Sequence, residues 1–283
     1  MTTQRALPPA TRSDDLRDHL PAIEPDRTVS DWGRSERLEG LVDQTLVSFL
    51  YHYWFRCEVE GIENVPASGG ALLVSNHGGA LSPDAAMIAK ALREEHVRAR
   101  ALHIAVDDSV MAHPGFSMLL AKLGCVTAHP ANIHRLLYDE RSLVLVRPEG
   151  RRGTRKLFKD RYRLGRFEGT GFVDSAAAAE APIVPVCVVG SEEAAPIFAR
   201  VRTLERLAGR LPVPLADRVA HVGPLGLVPY LPAKFRIRFL EPVAVDAGAQ
   251  DRAAVEGAAE AIRATIQENL LEMVGARDSV WTG

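Results

Sequence analysis

Three short, nearly continuous apolar runs constrain this chain more than any other feature: Ala71-Leu72-Leu73-Val74, Ser142-Leu143-Val144-Leu145-Val146 and Ile183 to Val189. Each has the length and bounds of a buried strand. Between and around them lie stretches at helical spacing. Pro83 to His96 puts Met87, Ile88, Ala91 and Leu92 on one face, and Pro114 to Leu123, Ala131 to Tyr138 and Phe172 to Glu180 also read as helices. Glu58 to Asn64, Arg100 to Val106, Cys125 to Ala128 and Phe235 to Phe239 complete the strands, and Ala253 to Met273 reads as a long closing helix. Strands alternating with helices predict an α/β fold with a mostly parallel central sheet flanked by helices. No internal repeat or second core is evident, so 58–283 is expected to be one domain.

Two stretches precede it. Residues 1–37 carry Pro8, Pro9, Pro21 and Pro25 among many charges, have no apolar signal core, and read as a mobile polar leader. From Leu38 to Cys57 an apolar stripe recurs at helical spacing, ending in Tyr51, His52, Tyr53 and Trp54. The plainer reading is an amphipathic helix packed on the domain; the alternative, which the Tyr/Trp cluster would suit, is one lying in a membrane interface. No run reaches the roughly 18 apolar residues of a membrane span.

Several chemistries lack their residues. The chain has no G-x-S-x-G elbow, no phosphate-binding G-x-x-x-x-G-K-[ST] loop, and no G-x-G-x-x-G opening a helix after a strand. Cys57, Cys125 and Cys187 are too far apart for a metal or redox motif, and His129 and His134 read as incidental. No metal and no bound cofactor is expected. A net charge of −2 argues against nucleic acid as a general partner.

In parallel α/β sheets, sites form beyond the carboxyl ends of the strands. His77 follows the first apolar run there, and two glycines separate it from Ser82, Pro83 and Asp84 at a helix start. If the loop closes, Asp84 can hold one imidazole nitrogen and leave the other as a base. After the run 142–146 comes Arg147-Pro148-Glu149-Gly150-Arg151-Arg152, opening a stretch in which eight of the sixteen residues 151–166 are Lys or Arg. Guanidinium forks match phosphate oxygens, so this loop suits an anionic head group, though a solvated basic loop is the plainer reading.

Asn76-His77 with Asp84, then Pro148-Glu149-Gly150-Arg151-Arg152, then Ile183-Val184-Pro185-Val186, resemble in order the motifs of the lysophospholipid acyltransferase (PlsC-like) family. The similarity spans about 55–275. The six residues between His77 and Asp84 exceed the family's usual interval, and Arg147 and Arg151 stand where it usually has Phe and Thr. The resemblance implies acyl transfer from acyl-CoA or acyl carrier protein, as co-substrate, to the hydroxyl of a lysophospholipid such as lysophosphatidate. His77 would be the base and Asp84 its orienting partner. Pro148, Glu149, Gly150, Arg151 and Arg152 would form the head-group site, with Arg152 on the family's arginine. It also implies a cytoplasmic enzyme held peripherally at the inner face of the membrane. A different hydroxyl acceptor, or a non-catalytic lipid-binding protein of the same fold, stays open. The Leu-, Pro- and Gly-rich stretch Leu204 to Leu231 reads either as a packed connection or as an acyl-site loop.

Overall fold

The computed structural model describes residues 29–79, 82–112, 114–197, 230–245 and 252–282. Among them one sheet holds seven strands: β1 (Glu58–Glu60), β2 (Ala71–Ser75), β3 (Leu102–Val106), β4 (Cys125–Thr127), β5 (Leu143–Val146), β6 (Ile183–Val189) and β7 (Arg236–Phe239). Their order is β1-β7-β6-β2-β5-β3-β4; β6 and β7 run antiparallel and the other neighbours parallel. The apolar runs are central strands covered on both faces. Leu72 and Val74 of β2 enter one core, and Ala71 and Leu73 the other; β5 divides Val144 and Val146 from Leu143 and Leu145 in the same way. A strand with two buried faces is apolar at every position, so these runs do not alternate.

Helices supply the two covers. α1 (Glu36–Val42) begins at Ser35, whose side chain accepts the Leu38 N–H, and continues through two π-helical stretches, Asp43–Val47 and Leu50–Trp54. Tyr51 and Phe55 turn into the core beside α2 (Asp84–Glu94), while Leu41, Leu46, Phe49 and Tyr53 stay exposed. The packed-helix reading thus holds for one face of this segment. Lys90 of α2 fastens it through Asp43 at 2.8 Å. After β3 come α3 (Asp108–Met111) and α4 (Pro114–Lys122), then α5 (Pro130–Tyr138), α6 (Gly150–Thr154), α7 (Gly171–Ala178), α8 (Ser191–Ala194) and α9 (Arg252–Gly275). Residues of α5, α7 and α9 form the opposite core, with Ile266 and Leu270 fully buried. Burying each such side chain contributes about 1.5–3 kcal/mol.

One boundary moves. The first 28 residues of the proposed leader lie outside the described residues, but folded structure starts by Val29 rather than after residue 37. Trp32 Nε1 donates to Glu140 Oε1 at 2.7 Å, and the buried Arg34 donates to Glu39 and to the Leu102 carbonyl. Residues 204–229 of the Leu204–Leu231 stretch lie outside the described residues.

Candidate active site

The three adjacent parallel strands β6, β2 and β5 end side by side, and each delivers charged or polar residues to the same place. Beyond β2, Asn76 acts as an extra rung toward β6: its Nδ2 donates to the Val188 carbonyl at 2.9 Å, and the Val188 N–H donates to its Oδ1 at 2.8 Å. That pins the residue before His77. The His77 N–H donates to Glu149 Oε1 at 3.1 Å, so the end of β5 holds the histidine backbone directly. Glu149 is fully buried, and its Oε2 accepts from Gly165 N–H at 2.9 Å and faces Lys156 Nζ at 3.2 Å. Lys156 also reaches Glu192, which follows β6, at 3.1 Å.

The imidazole is 7% exposed. Its Nδ1 accepts the Gly79 N–H at 3.2 Å, and the ring has no other hydrogen bond among the described residues. Burial, reinforced by the positive charges of Arg147 and Lys156, holds its pKa well below the ordinary histidine range. The ring is therefore neutral at neutral pH, the form a base requires.

Asp84 is wholly buried and sits next to this loop, yet no hydrogen bond joins it to the imidazole among the described residues. Its Oδ2 takes the Gly78 N–H at 2.9 Å. Its Oδ1 takes the Ala85 N–H at 2.6 Å and Arg147 at 3.0 Å. A carboxylate at the start of α2 collects backbone N–H groups that the helix leaves unsatisfied. It thus orders the peptide that carries His77 instead of touching the ring. The helix itself begins at Asp84, with Ser82 and Pro83 in the turn before it.

Only Pro148 and Glu149 of the Pro148–Arg152 segment form a turn. Gly150 to Thr154 form the helical turn α6, entered through Gly150 at φ +53°; a Cβ there would also lie 2.0 Å from Glu168 Oε2. Gly150 serves this turn, since few residues other than glycine take that backbone conformation without strain. Gly153 lets α6 rest on the histidine, since a Cβ would come within 2.8 Å of His77 Cβ. Successive residues of a helical turn diverge by about 100°, and the two arginines part company. Arg151 lines the cleft that contains His77, whereas Arg152 lines a separate cavity behind α6.

The cleft measures about 670 Å³. From His77, Arg147, Pro148 and Arg151 it extends over apolar residues of α1, α2, β3 and α4, among them Leu46, Ala89, Val106 and Leu120, toward Glu39 and Arg93. Cys125 also lines it, but burial pushes that thiol up to about 11, so it is not a thiolate at neutral pH. Lys156 and Glu192 were not singled out in the sequence, and Arg147 and Asn76 stood there only as motif positions without a role of their own. The one available signal was position, since each lies just past a central strand or in the basic stretch. His129 and His134 serve α5: His129 Nδ1 accepts the Ala131 N–H at 3.2 Å, and His134 stacks on Tyr138.

Comparison with known proteins fits this arrangement. Residues 56–189 match the model of the acyltransferase family. The chain is 39% identical over 264 residues to an uncharacterized protein of Mycobacterium leprae, covering 91% of this chain and 71% of that one. It is 26% identical over 194 residues to a DGAT1/2-independent enzyme synthesizing storage lipids from Gallus gallus, covering 68% of this chain and 54% of that enzyme. The crystal structure of the 1-acyl-sn-glycerophosphate (LPA) acyltransferase PlsC from Thermotoga maritima shares the fold, with a TM-score of 0.52 at 19% identity over 86% of this chain and 84% of that one. By sequence motif, family model and a relative of 39% identity along most of its length, the chain belongs to the acyltransferase family.

Proposed function

We propose that the protein transfers a fatty acyl group from an acyl thioester, acyl-CoA or acyl carrier protein, to the hydroxyl of a lysophospholipid such as lysophosphatidate. The observation that carries this reading is the content of one cleft: a neutral imidazole, a long apolar lining and a guanidinium, Arg151, without a side-chain partner among the described residues. Apolar length suits an acyl chain, and Arg151 suits the acceptor phosphate. No nucleophilic serine or thiolate is needed, because a thioester is already activated and its thiolate leaves readily.

In the step proposed, the acceptor oxygen attacks the thioester carbonyl carbon while His77 takes its proton. The tetrahedral intermediate then expels the thiol, which receives that proton from the imidazolium. Asp84 acts in this scheme on the loop through Gly78 N–H and on Arg147, and Glu149 holds the His77 backbone. Turning Nδ1 from the Gly79 N–H onto the Asp84 carboxylate would complete the dyad that the resemblance implies.

Membrane contact is part of the proposal. No helix among the described residues is long and apolar enough to cross a membrane. The exposed Leu41, Phe49 and Tyr53 of the α1 segment lie on the element that also lends Leu46 and Leu50 to the cleft, a position suited to drawing a lipid acceptor from an interface. The deciding experiment incubates purified protein with acyl-CoA and a panel of lysophospholipids, monoacylglycerol, diacylglycerol and glycolipids, with products read by mass spectrometry. Product from lysophosphatidate is expected, with Arg151→Ala raising KM for that acceptor and sparing slow thioester hydrolysis by water. Product from neutral acceptors alone would replace the phosphorylated acceptor, and no product from any would remove the activity.

A further inference from the structure

The cavity behind α6 measures about 440 Å³, and it holds four cations, Arg152, Lys156, Lys159 and Arg163, against two carboxylates, Glu149 and Asp160. Lys156 is committed to Glu149 and Glu192. The side-chain charges of Arg152, Lys159 and Arg163 have no hydrogen-bond or ion-pair partner among the described residues. Three unpaired cations around one concavity repel one another and favour an anion there. Guanidinium groups in particular match phosphate oxygens two at a time.

Arg151, not Arg152, lines the cleft that contains His77, so this cavity is the less direct one for the acceptor. An acceptor's phosphate and hydroxyl are close together, and the hydroxyl must reach His77 in the other cavity. The wall between the two is thin, however. Gly153 of α6 lies against the His77 side chain, and Glu149 reaches the His77 N–H while lining the basic cavity. α6 has five residues, about 7.5 Å at ~1.5 Å per residue. A ligand whose phosphates are joined to its reacting group by a longer flexible arm would serve both cavities at once.

We propose that the cavity behind α6 is the phosphate site of a nucleotide-bearing thioester donor: Arg152, Lys159 and Arg163 take the 3′-phosphate and diphosphate of acyl-CoA, and its pantetheine arm passes α6 to bring the thioester to His77. This rests on the acyl-transfer reading above and makes acyl-CoA, rather than acyl carrier protein, the donor.

The test uses the full chain and a Lys159→Gln/Arg163→Gln variant, with Arg163→Gln alone as the milder change and circular dichroism as the check of fold. Titration calorimetry with adenosine 3′,5′-bisphosphate needs no turnover. Binding by the wild type, weakened at least tenfold in the variant, is expected, and no binding by the wild type overturns the site even if acyl transfer stands. In turnover, KM for acyl-CoA should rise about tenfold, while KM for the acceptor and turnover of S-acyl-N-acetylcysteamine, which lacks the nucleotide, stay unchanged. Equal loss with both thioesters would make the cluster structural. A change confined to the acceptor's KM, to acyl carrier protein as donor, or to binding of anionic vesicles would assign it to those partners instead, and each overturns the proposal. If the wild type transfers no acyl group, the functional reading fails separately, and the bisphosphate titration still decides the cavity.

Discussion

Replacing Arg147 with Met tests the electrostatic link on which the site's geometry depends. Arg147 is 14% exposed and lies 3.0 Å from the Oδ1 of a wholly buried Asp84. Removing one partner of a buried pair costs about 3–5 kcal/mol when the remaining charge is left uncompensated. Here the carboxylate keeps the Gly78 and Ala85 N–H groups, and water can reach the vacated edge of the cleft. The expected loss is therefore about 2–3 kcal/mol. In urea, at a slope of about 3 kcal/mol per molar, that is a midpoint shift of roughly 0.7–1 M. Asp84→Asn alone should cost less, because the guanidinium it frees borders the open cleft. In the double variant no unpaired buried charge remains, so its cost should fall short of the sum of the singles by about 1–2 kcal/mol. Additivity within about 0.5 kcal/mol would refute the pairing.

Because burial and the Arg147 and Lys156 charges lower the His77 pKa, the acid limb of kcat/KM should lie below the ordinary value of about 6.5, and Arg147→Met should move it upward; a wild-type limb at or above 6.5 contradicts this. The same shift acts on stability: the unfolded chain binds a proton near pH 6.5 that the folded chain refuses, so His77's contribution weakens stability as pH falls through that value, and calorimetric melting of wild type against His77→Gln measures it. Gly153→Ala forces a methyl to 2.8 Å from His77 Cβ and 2.9 Å from Glu149 Cβ; a loss of about 1–3 kcal/mol in urea and a fall in kcat larger than the change in KM are expected, and unchanged kinetics would detach α6 from the histidine. Phe49→Ser with Tyr53→Ser should reduce sedimentation with lipid vesicles without changing the urea midpoint, since both residues are exposed; undiminished binding would exclude this face.

The strands were legible because burial on both faces forces an apolar residue at every position, and the runs at 71–74, 142–146 and 183–189 have no other plausible home. Helix limits came within a residue or two, as at Pro114–Lys122 and Arg252–Gly275. The start of the fold was not legible. Trp32 and Arg34 are held by Glu140 and Leu102, 108 and 68 residues onward respectively, and a charged, proline-rich context gave no local sign of them.

At the site, His77 could be found because a histidine at a strand end before glycines has few structural reasons to be there. Asp84 was equally visible, but its partners were not. Arg147 is 63 residues away, and only the sheet order that places β5 beside β2 brings it to the carboxylate. The two arginines were read together because adjacency in sequence suggests a shared ligand. The helical turn at α6 separates them, and the signal for that turn, Gly150 at positive φ, cannot be distinguished in sequence from a glycine that admits a ligand.

The most direct test of the central claim is the rate of acyl transfer by His77→Ala. The side chain lines the cleft with its Nε2 unbonded among the described residues, so truncation should leave the fold intact, as circular dichroism and the urea midpoint can verify. With acyl-CoA and the acceptor identified for the wild type, product measured by mass spectrometry should fall by about 10²–10⁴-fold or more, as for loss of a positioned general base. Turnover by the folded variant within a few-fold of wild type would contradict the claim that this histidine takes the acceptor's proton.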